Sequence, residues 1–265
     1  MSARPKILVT NDDGVESAGI IALADSLASL GDVTVVAPDR DNSGVGHSIS
    51  IYQPIRVTPV AGRTMPTYAC SGSPADCVFV GAFDLCGGMP SLVVSGINRG
   101  ANLGDDINYS GTVAAATEGA VIGVPSIAIS LAVNWSQRDV RERWDVAAAV
   151  ALDLGRDVLA DGLPPLALLN VNVPNLGANE MRGMRYVRQG RKAYRNRVDR
   201  RNDPSGGTYF WLFGASDDAA VVDGTDLAAV RDGYVSVTPV SIDRTDHDEL
   251  GRRFRRDAEA LRARR

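Results

Sequence analysis

Short apolar runs alternate with amphipathic stretches over the first two-thirds of the chain. The β-branched apolar runs predict strands, and apolar residues at three- or four-residue spacing predict helices between them. The predicted strands cover 6–10, 32–37, 91–95, 126–130 and 166–173, with extended pieces at 49–58 and 67–69. The predicted helices cover 19–30, 74–85, 112–122 and 141–159. Strands that alternate with helices are typical of a parallel sheet with right-handed crossovers, so we expect an α/β fold.

The pattern changes between Pro174 and Gly233, where short strand candidates are separated by turn sequences. The strand candidates cover 184–188, 208–213 and 219–222, and a short helix at 226–231 precedes a strand at 234–240. This pattern predicts a β-hairpin-rich appendage.

Aromatic residues cluster near the centre of this appendage, namely Tyr194, Tyr209, Phe210, Trp211 and Phe213. Aromatic side chains are enriched in the cores of subunit interfaces, so they predict a homo-oligomer held partly by this segment. The alternative is that these side chains pack against the protein's own core.

The C-terminal segment 251–265 is strongly basic and carries two oppositely charged pairs at four-residue spacing, Arg253 with Asp257 and Arg255 with Glu259. That spacing favours a solvated helix, and an arm that binds anions or nucleic acid is the alternative. Over the whole chain, 28 basic and 32 acidic residues give a net charge of −4. This charge argues against nucleic-acid binding through the whole surface.

Three cysteines without a C-x-x-C pair argue against a disulfide framework and against a thiolate zinc site. No apolar run has the length of a transmembrane helix, and the N-terminus lacks the pattern of a secretory signal peptide. We therefore expect a cytoplasmic protein without membrane association.

Oxygen-rich side chains follow three of the predicted strands. Asp12 and Asp13 follow the first strand, Ser43 follows the second, and Asn98 follows the third. Parallel strands bring such loops to one edge of the sheet, where open α/β sheets bind ligands. Carboxylate, hydroxyl and amide oxygens select Mg²⁺, Mn²⁺ or Ca²⁺. The three loops together predict a divalent-metal site, although the Asn-Asp-Asp-Gly sequence alone also suits a helix-capping turn.

The long polar stretch after the third strand leads into a predicted helix at Ser110, Gly111 and Thr112. A helix N-terminus with small hydroxyl residues binds anions, so a phosphate placed there could also reach the metal. The alternative is that Ser110 only caps the helix. His47, in the same loop as Ser43, is a candidate proton donor or phosphoryl contact, with a purely structural role as the alternative.

Several other chemistries are not supported by the sequence. The chain has no P-loop, no G-x-S-x-G elbow, no H-E-x-x-H zinc motif and no D-x-D-x-T after the first strand. Gly44 and Gly46 do not complete a G-x-G-x-x-G motif, so nicotinamide binding is poorly supported.

Five segments resemble the SurE family, the metal-dependent survival-protein 5′/3′-nucleotidases. They are ILVTNDDG (7–14), APDRDNSGVGHS (37–48), SPADCV (73–78), SGINRGANLGDDINYSGTVAAATEG (95–119) and GYVSVTPV (233–240). The first and fourth are the most specific, and the resemblance extends to about residue 245.

The resemblance implies a Rossmann-like, three-layer core, a swapped C-terminal segment and a homodimer or homotetramer. It implies one divalent cation per subunit, Mg²⁺ or Mn²⁺, held by Asp12, Asp13, Ser43 and Asn98. It also implies a phosphate pocket formed by Asn98, Asn102, Ser110, Gly111 and Thr112. We thus predict a catalytic core over 1–173, an oligomerisation appendage over 174–233, and a returning strand with a basic tail over 234–265, all within a single domain.

The residues and the resemblance together predict a 5′-nucleotidase that hydrolyses nucleoside 5′-monophosphates with metal-activated water. Asp12 and Asp13 would hold the metal, while Asn102 and Ser110 would hold the phosphoryl group and His47 is a further catalytic candidate. The family implies 3′-monophosphates and short polyphosphate as further substrates. Two alternatives stay open: a non-catalytic protein that binds metal and nucleotide for regulation, and a nucleic-acid-binding protein that uses the arginine-rich tail.

Overall fold

The computed structural model describes residues 4–133, 141–192, 194–216 and 221–263 of the 265-residue chain. The strands are β1 (Lys6–Thr10), β2 (Asp32–Pro38), β3 (Val57–Pro59), β4 (Thr67–Cys70), β5 (Leu92–Arg99), β6 (Ser126–Ala132), β7 (Ala167–Pro174), β8 (Met184–Tyr186), β9 (Tyr194–Asn202), β10 (Thr208–Ser216) and β11 (Val235–Ser241). The α-helices are α1 (Ala18–Leu27), α2 (Pro74–Val80), α3 (Gly111–Val121), α4 (Trp144–Asp161), α5 (Asp226–Arg231) and α6 (His247–Ala263). A π-helical turn covers Gly81–Leu85 and a 3₁₀ turn covers Gly104–Asn108.

Nine strands form the central sheet, in the order β3-β4-β2-β1-β5-β6-β7-β11-β8. The six strands from β4 to β7 in that order are parallel. Strand β3 is antiparallel to β4, and β11 is antiparallel to β7. The predicted α/β fold is confirmed, but the sheet is mixed at its margins and not wholly parallel.

The sheet lies between two layers of helices. Successive residues of a strand face opposite sides of the sheet, so alternate residues pack against different helix layers. On one side, Ile7 and Val9 of β1 pack in a cluster with residues of α1 and α4. On the other side, Leu8 packs in a second cluster with Cys77 of α2 and Ala115 of α3. This three-layer arrangement buries both faces of β1 and places the loops that follow the parallel strands at one edge.

Strand β11 runs antiparallel to β7 because the connection between these two strands begins and ends at the same end of the sheet. The chain leaves β7 at Pro174 and enters β11 close by, where the backbone N–H of Arg182 donates to Gly233 O at 3.0 Å. The chain therefore enters β11 at the end of the sheet where β7 finishes and runs back beside β7 in the opposite direction.

Strands β9 and β10 form a separate antiparallel hairpin, with Tyr194 opposite Ser216 and Asn202 opposite Thr208. The predicted strand at 208–213 is part of β10, but β9 was not predicted because its sequence, YRNRVDRRN, is rich in arginine. Residues 221 and 222 are not in a strand, and the rest of the strand predicted at 219–222 lies outside the described residues.

The extended piece predicted at 49–58 is wrong for most of its length, since only Val57–Pro59 pairs with a strand. The Asp76 carboxylate holds the preceding segment as a loop, because it accepts hydrogen bonds from the N–H and the hydroxyl of Ser50, at 2.9 and 2.7 Å.

The basic C-terminal segment is helical, as its spacing predicts. Arg253 donates to Glu249 within α6, and the side chains of Asp257 and Glu259 lie outside the described residues. Among the described helices, none is long and apolar enough to cross a membrane. The cytoplasmic location stays a prediction.

Candidate active site

A cleft of about 600 Å³ lies at the carboxyl ends of β1, β2 and β5. Six of the predicted site residues line it, namely Asp12, Asp13, Ser43, Asn98, Asn102 and Ser110. The other lining residues are Asp41, Gly44, Arg99, Gly100, Ala101, Asp106 and Tyr109. The structure thus brings the oxygen-rich loops together, as parallel strands require.

The two carboxylates at the end of β1 are presented by a turn that Asn11 stabilises. The amide nitrogen of Asn11 donates to Gly14 O at 3.0 Å, and its side-chain oxygen accepts from Gly14 N at 3.2 Å. Gly14 adopts a φ of +100°, which residues with a side chain rarely adopt. The Asn-Asp-Asp-Gly sequence therefore forms a turn that aims Asp12 and Asp13 into the cleft.

Asp12 is buried, with 3% of its surface exposed, and its carboxylate accepts a hydrogen bond from the Thr112 hydroxyl. Burial raises the pKa of Asp12 to about 6, an effect that the neighbouring Asp13 reinforces and the Thr112 hydrogen bond opposes. Burial also raises the pKa of Asp13, against the effect of the hydrogen bond from the Arg99 N–H. A charged carboxylate that is buried with a neutral hydrogen-bond donor destabilises the folded protein, and a bound cation would offset this cost.

The loop after β2 contacts the turn that follows β1 through the backbone N–H of Asn42, which donates to Asp12 O at 2.8 Å. In that loop the Asp41 carboxylate accepts from the N–H and the hydroxyl of Ser43, at 2.8 and 2.6 Å. Because the hydroxyl donates its hydrogen to Asp41, Ser43 Oγ keeps lone pairs with which it can bind a cation.

Strand β5 continues beyond its predicted end at Ser95 and reaches Arg99. Its register with β6 is interrupted between Ser95 and Asn98, and such interruptions re-aim side chains next to functional sites. The amide nitrogen of Asn98 donates to Gly100 O at 2.8 Å, so Oδ1 is the atom of this side chain that can bind a cation.

Helix α3 begins against the carboxylates. The Ser110 hydroxyl accepts from Val113 N at 3.1 Å, so it caps the helix while lining the cleft. A Cβ atom added to Gly111 would lie 2.7 Å from Asp12 Cβ, which shows that only glycine permits this approach. Gly111 and Thr112 thus lie behind Asp12, and Thr112 is completely buried.

Asn102 is held by side chains of β6 and β7. Its backbone N–H donates to Asn172 Oδ1 at 2.8 Å, and its backbone carbonyl accepts from Asn170 and Asn172 at 2.9 and 3.0 Å. Its own amide nitrogen donates to Ser130 Oγ at 2.8 Å. A side-chain amide carries two donor hydrogens, so one is left to face a ligand.

The structure does not bring His47 into this cleft. Its Nε2 lies 2.8 Å from Glu118 Oε2 of α3, and its side chain lines a different cavity together with Thr117 and Arg244. This position agrees with the structural alternative for His47.

Four charged or aromatic cleft residues were not predicted, namely Asp41, Arg99, Asp106 and Tyr109, and neither were Gly44, Gly100 and Ala101. Asp41 had a signal, since it lies two positions before Ser43 in the same polar loop. The Asp106 carboxylate accepts a hydrogen bond from Lys192 Nζ of the appendage at 2.6 Å. This contact joins segments that are distant in the chain, so the sequence has no local signal for it.

A family model for the survival protein SurE matches residues 7–196. The chain belongs to the SurE family. This confirms the resemblance stated from the motifs.

Named relatives of the SurE family match nearly the whole chain. A 5′-nucleotidase SurE from Syntrophotalea carbinolica is 49% identical over 91% of this chain and 92% of its own length. A 5′-nucleotidase SurE from Geobacter sulfurreducens is 47% identical over 92% of this chain and 90% of its own length. The crystal structure of the SurE protein from Aquifex aeolicus superposes with a TM-score of 0.79 at 43% identity, covering 92% of this chain and 96% of that one.

Proposed function

We propose that this protein is a 5′-nucleotidase that hydrolyses nucleoside 5′-monophosphates to a nucleoside and phosphate, and that it depends on Mg²⁺ or Mn²⁺. The names of its relatives support the reaction. The observation that carries the proposal is one cleft lined by Asp12, Asp13, Ser43 and Asn98, with the start of α3 beside it.

The donor set fits a hard divalent cation. Among the described residues, no group of three or more His, Cys, Asp or Glu side chains has metal-binding geometry, and the cleft offers hydroxyl and amide oxygens beside its carboxylates. Asp12 and Asp13 supply two carboxylates, and Ser43 and Asn98 supply the neutral oxygens that magnesium and manganese accept. When bound, the cation polarises the phosphoryl group and makes water a better nucleophile at neutral pH.

The residues at the start of α3 hold the phosphoryl oxygens. Ser110 offers its hydroxyl, whose oxygen already accepts from the Val113 N–H, and the positive end of the α3 dipole favours an anion at this N-terminus. Asn102 offers the remaining hydrogen of its amide from a backbone that is hydrogen-bonded on both sides. These donors stabilise the negative charge that develops as water attacks phosphorus.

Phosphate release from AMP, with and without Mn²⁺, tests this function. Release should stop on chelation and return with the metal, and Asp13→Asn should slow it by orders of magnitude. Asp161→Asn is the matched control, because Asp161 is an exposed carboxylate at the end of α4. No phosphate release, or release that chelation leaves unchanged, would contradict the proposal. The same assay with 3′-AMP and tripolyphosphate defines the range of substrates.

The appendage over 174–233 is proposed as an oligomerisation segment. Tyr209, Phe210 and Trp211 are 40%, 57% and 54% exposed, so they do not pack into the core of their own chain. Leu212 is 81% exposed. The side chains of Tyr194 and Phe213 lie outside the described residues. An exposed apolar strand on a hairpin is typical of a surface that a partner covers.

A further inference from the structure

Tyr109 is the one aromatic residue among those that line the cleft in the part of the chain that the structure describes. It directly precedes Ser110, so the Cα atoms of the two residues are about 3.8 Å apart. The side chain of Tyr109 therefore leaves the backbone next to the site proposed for the phosphate. A nucleotide bound with its phosphate at Ser110 places its base only one sugar away.

The cleft is larger than a phosphate requires. Its volume of about 600 Å³ is in the range of pockets that enclose whole small molecules. Its other lining side chains are short, acidic or polar, apart from Arg99. Among the residues that the structure describes, Tyr109 therefore offers the one aromatic face that a base entering this cleft would contact.

The side chain of Tyr109 is exposed while its backbone is held. Its N–H donates to Asp106 O at 2.9 Å, and its carbonyl accepts from Gly46 N at 3.1 Å. The residue is nevertheless 68% exposed. Stacking a base on the ring removes this surface from water and orders only two side-chain torsions, so little conformational entropy is lost.

We propose that the ring of Tyr109 stacks on the base of the substrate and thereby selects nucleoside monophosphates over phosphate monoesters that lack a base. The proposal rests on the proposed function and names the part of the substrate that the cleft recognises beyond the phosphate. Every base has a stacking face, so such a platform distinguishes esters with a base from esters without one and tolerates different bases.

The test compares AMP with ribose 5-phosphate, which carries the same phosphate and sugar without the base. For Tyr109→Ala, the ratio of kcat/KM for AMP to kcat/KM for ribose 5-phosphate should fall by about 10-fold, mainly through KM for AMP. Tyr109→Phe keeps the ring and should retain the ratio. Tyr52→Ala is the control, because Tyr52 is a 96% exposed tyrosine that does not line the cleft.

Saturation-transfer difference NMR gives a readout that does not depend on turnover. Adenine protons of AMP should receive saturation from the unsubstituted protein and lose most of it with Tyr109→Ala. An unchanged ratio with unchanged saturation, or an equal loss of activity on both esters, would overturn the stacking proposal. If Tyr109→Phe behaves like Tyr109→Ala, the hydroxyl and not the ring acts, which also overturns it. Failure of the unsubstituted protein to release phosphate from either ester would instead contradict the proposed function, and the NMR experiment would still test the stacking.

Discussion

At the scale of single residues, Asp12 is the clearest sign of a site built for a cation. Its carboxylate is buried beside a second carboxylate, and the group that donates to it from a side chain is the neutral hydroxyl of Thr112. Burial raises its pKa from the ordinary 3.8 to about 6. Well below pH 3.8 the group is protonated in both the folded and the unfolded chain, and well above pH 6 it is charged in both.

The chelated protein should therefore lose stability as the pH rises from about 4 to 6. The folded chain holds the proton more tightly than the unfolded chain in this window, so protonation favours folding. At pH 8, Asp12→Asn should be more stable than the unsubstituted protein by on the order of 3 kcal/mol, and this difference should shrink as the pH falls and vanish below about pH 3. Urea denaturation across this pH range measures it.

Added Mn²⁺ should stabilise the unsubstituted protein at pH 8 and have much less effect on Asp12→Asn. Asp161→Asn should show neither effect. Equal stability of Asp12→Asn and the unsubstituted protein at pH 8 with chelator would show that the buried charge is compensated in some other way.

Ser110 is predicted to contact the phosphoryl group without becoming a covalent nucleophile. Its hydroxyl caps α3, and the described hydrogen bonds give it no general base. Ser110→Ala should slow hydrolysis by about 10²–10³-fold, the cost of losing one oxyanion donor. Mass spectrometry of the enzyme quenched during turnover should find no phosphoserine at this position, and stoichiometric phosphorylation there would contradict attack by water.

At the scale of elements, β7 supports the site by holding the backbone of Asn102. Asn170 and Asn172 face the same side of this strand, and together they bind both backbone polar groups of Asn102. They were not predicted, because in the sequence they read only as polar interruptions of a buried strand. Their role depends on a loop that is about seventy residues away along the chain.

Asn172→Ala should weaken both folding and catalysis. Removal of its amide leaves the Asn102 N–H buried and unpaired, which costs about 1–3 kcal/mol of stability. The reaction should slow through kcat, while the affinity for Mn²⁺ should change little, since no proposed ligand is removed. Urea denaturation, steady-state kinetics and metal titration measure the three effects. Asn202→Ala, on the exposed hairpin, is the control, and unchanged kcat in Asn172→Ala would show that β7 does not position Asn102.

At the scale of the whole molecule, the hairpin formed by β9 and β10 stands apart from the central sheet and exposes apolar side chains. We expect light scattering to give a mass that is a multiple of the 28.0 kDa chain at micromolar concentration. Replacing Trp211 and Leu212 with aspartate places charge on both faces of β10 and should lower that mass. The Tyr52→Ala variant should keep it. A monomer mass for the unsubstituted protein would contradict the assembly.

The sequence by itself determined the alternation of strands and helices, the three oxygen-rich loops and the family. These are local properties. Apolar periodicity decides whether a segment forms a strand or a helix, and a short motif contains the candidate metal-binding residues themselves. Tertiary structure alone decided the antiparallel entry of β11 and the pairing of arginine-rich β9. It also decided that Tyr109 faces the cleft while His47 pairs with Glu118 outside it. Residues far apart in the sequence meet in each of these features, and because their pairing depends on the packing of the whole chain, no local pattern encodes it.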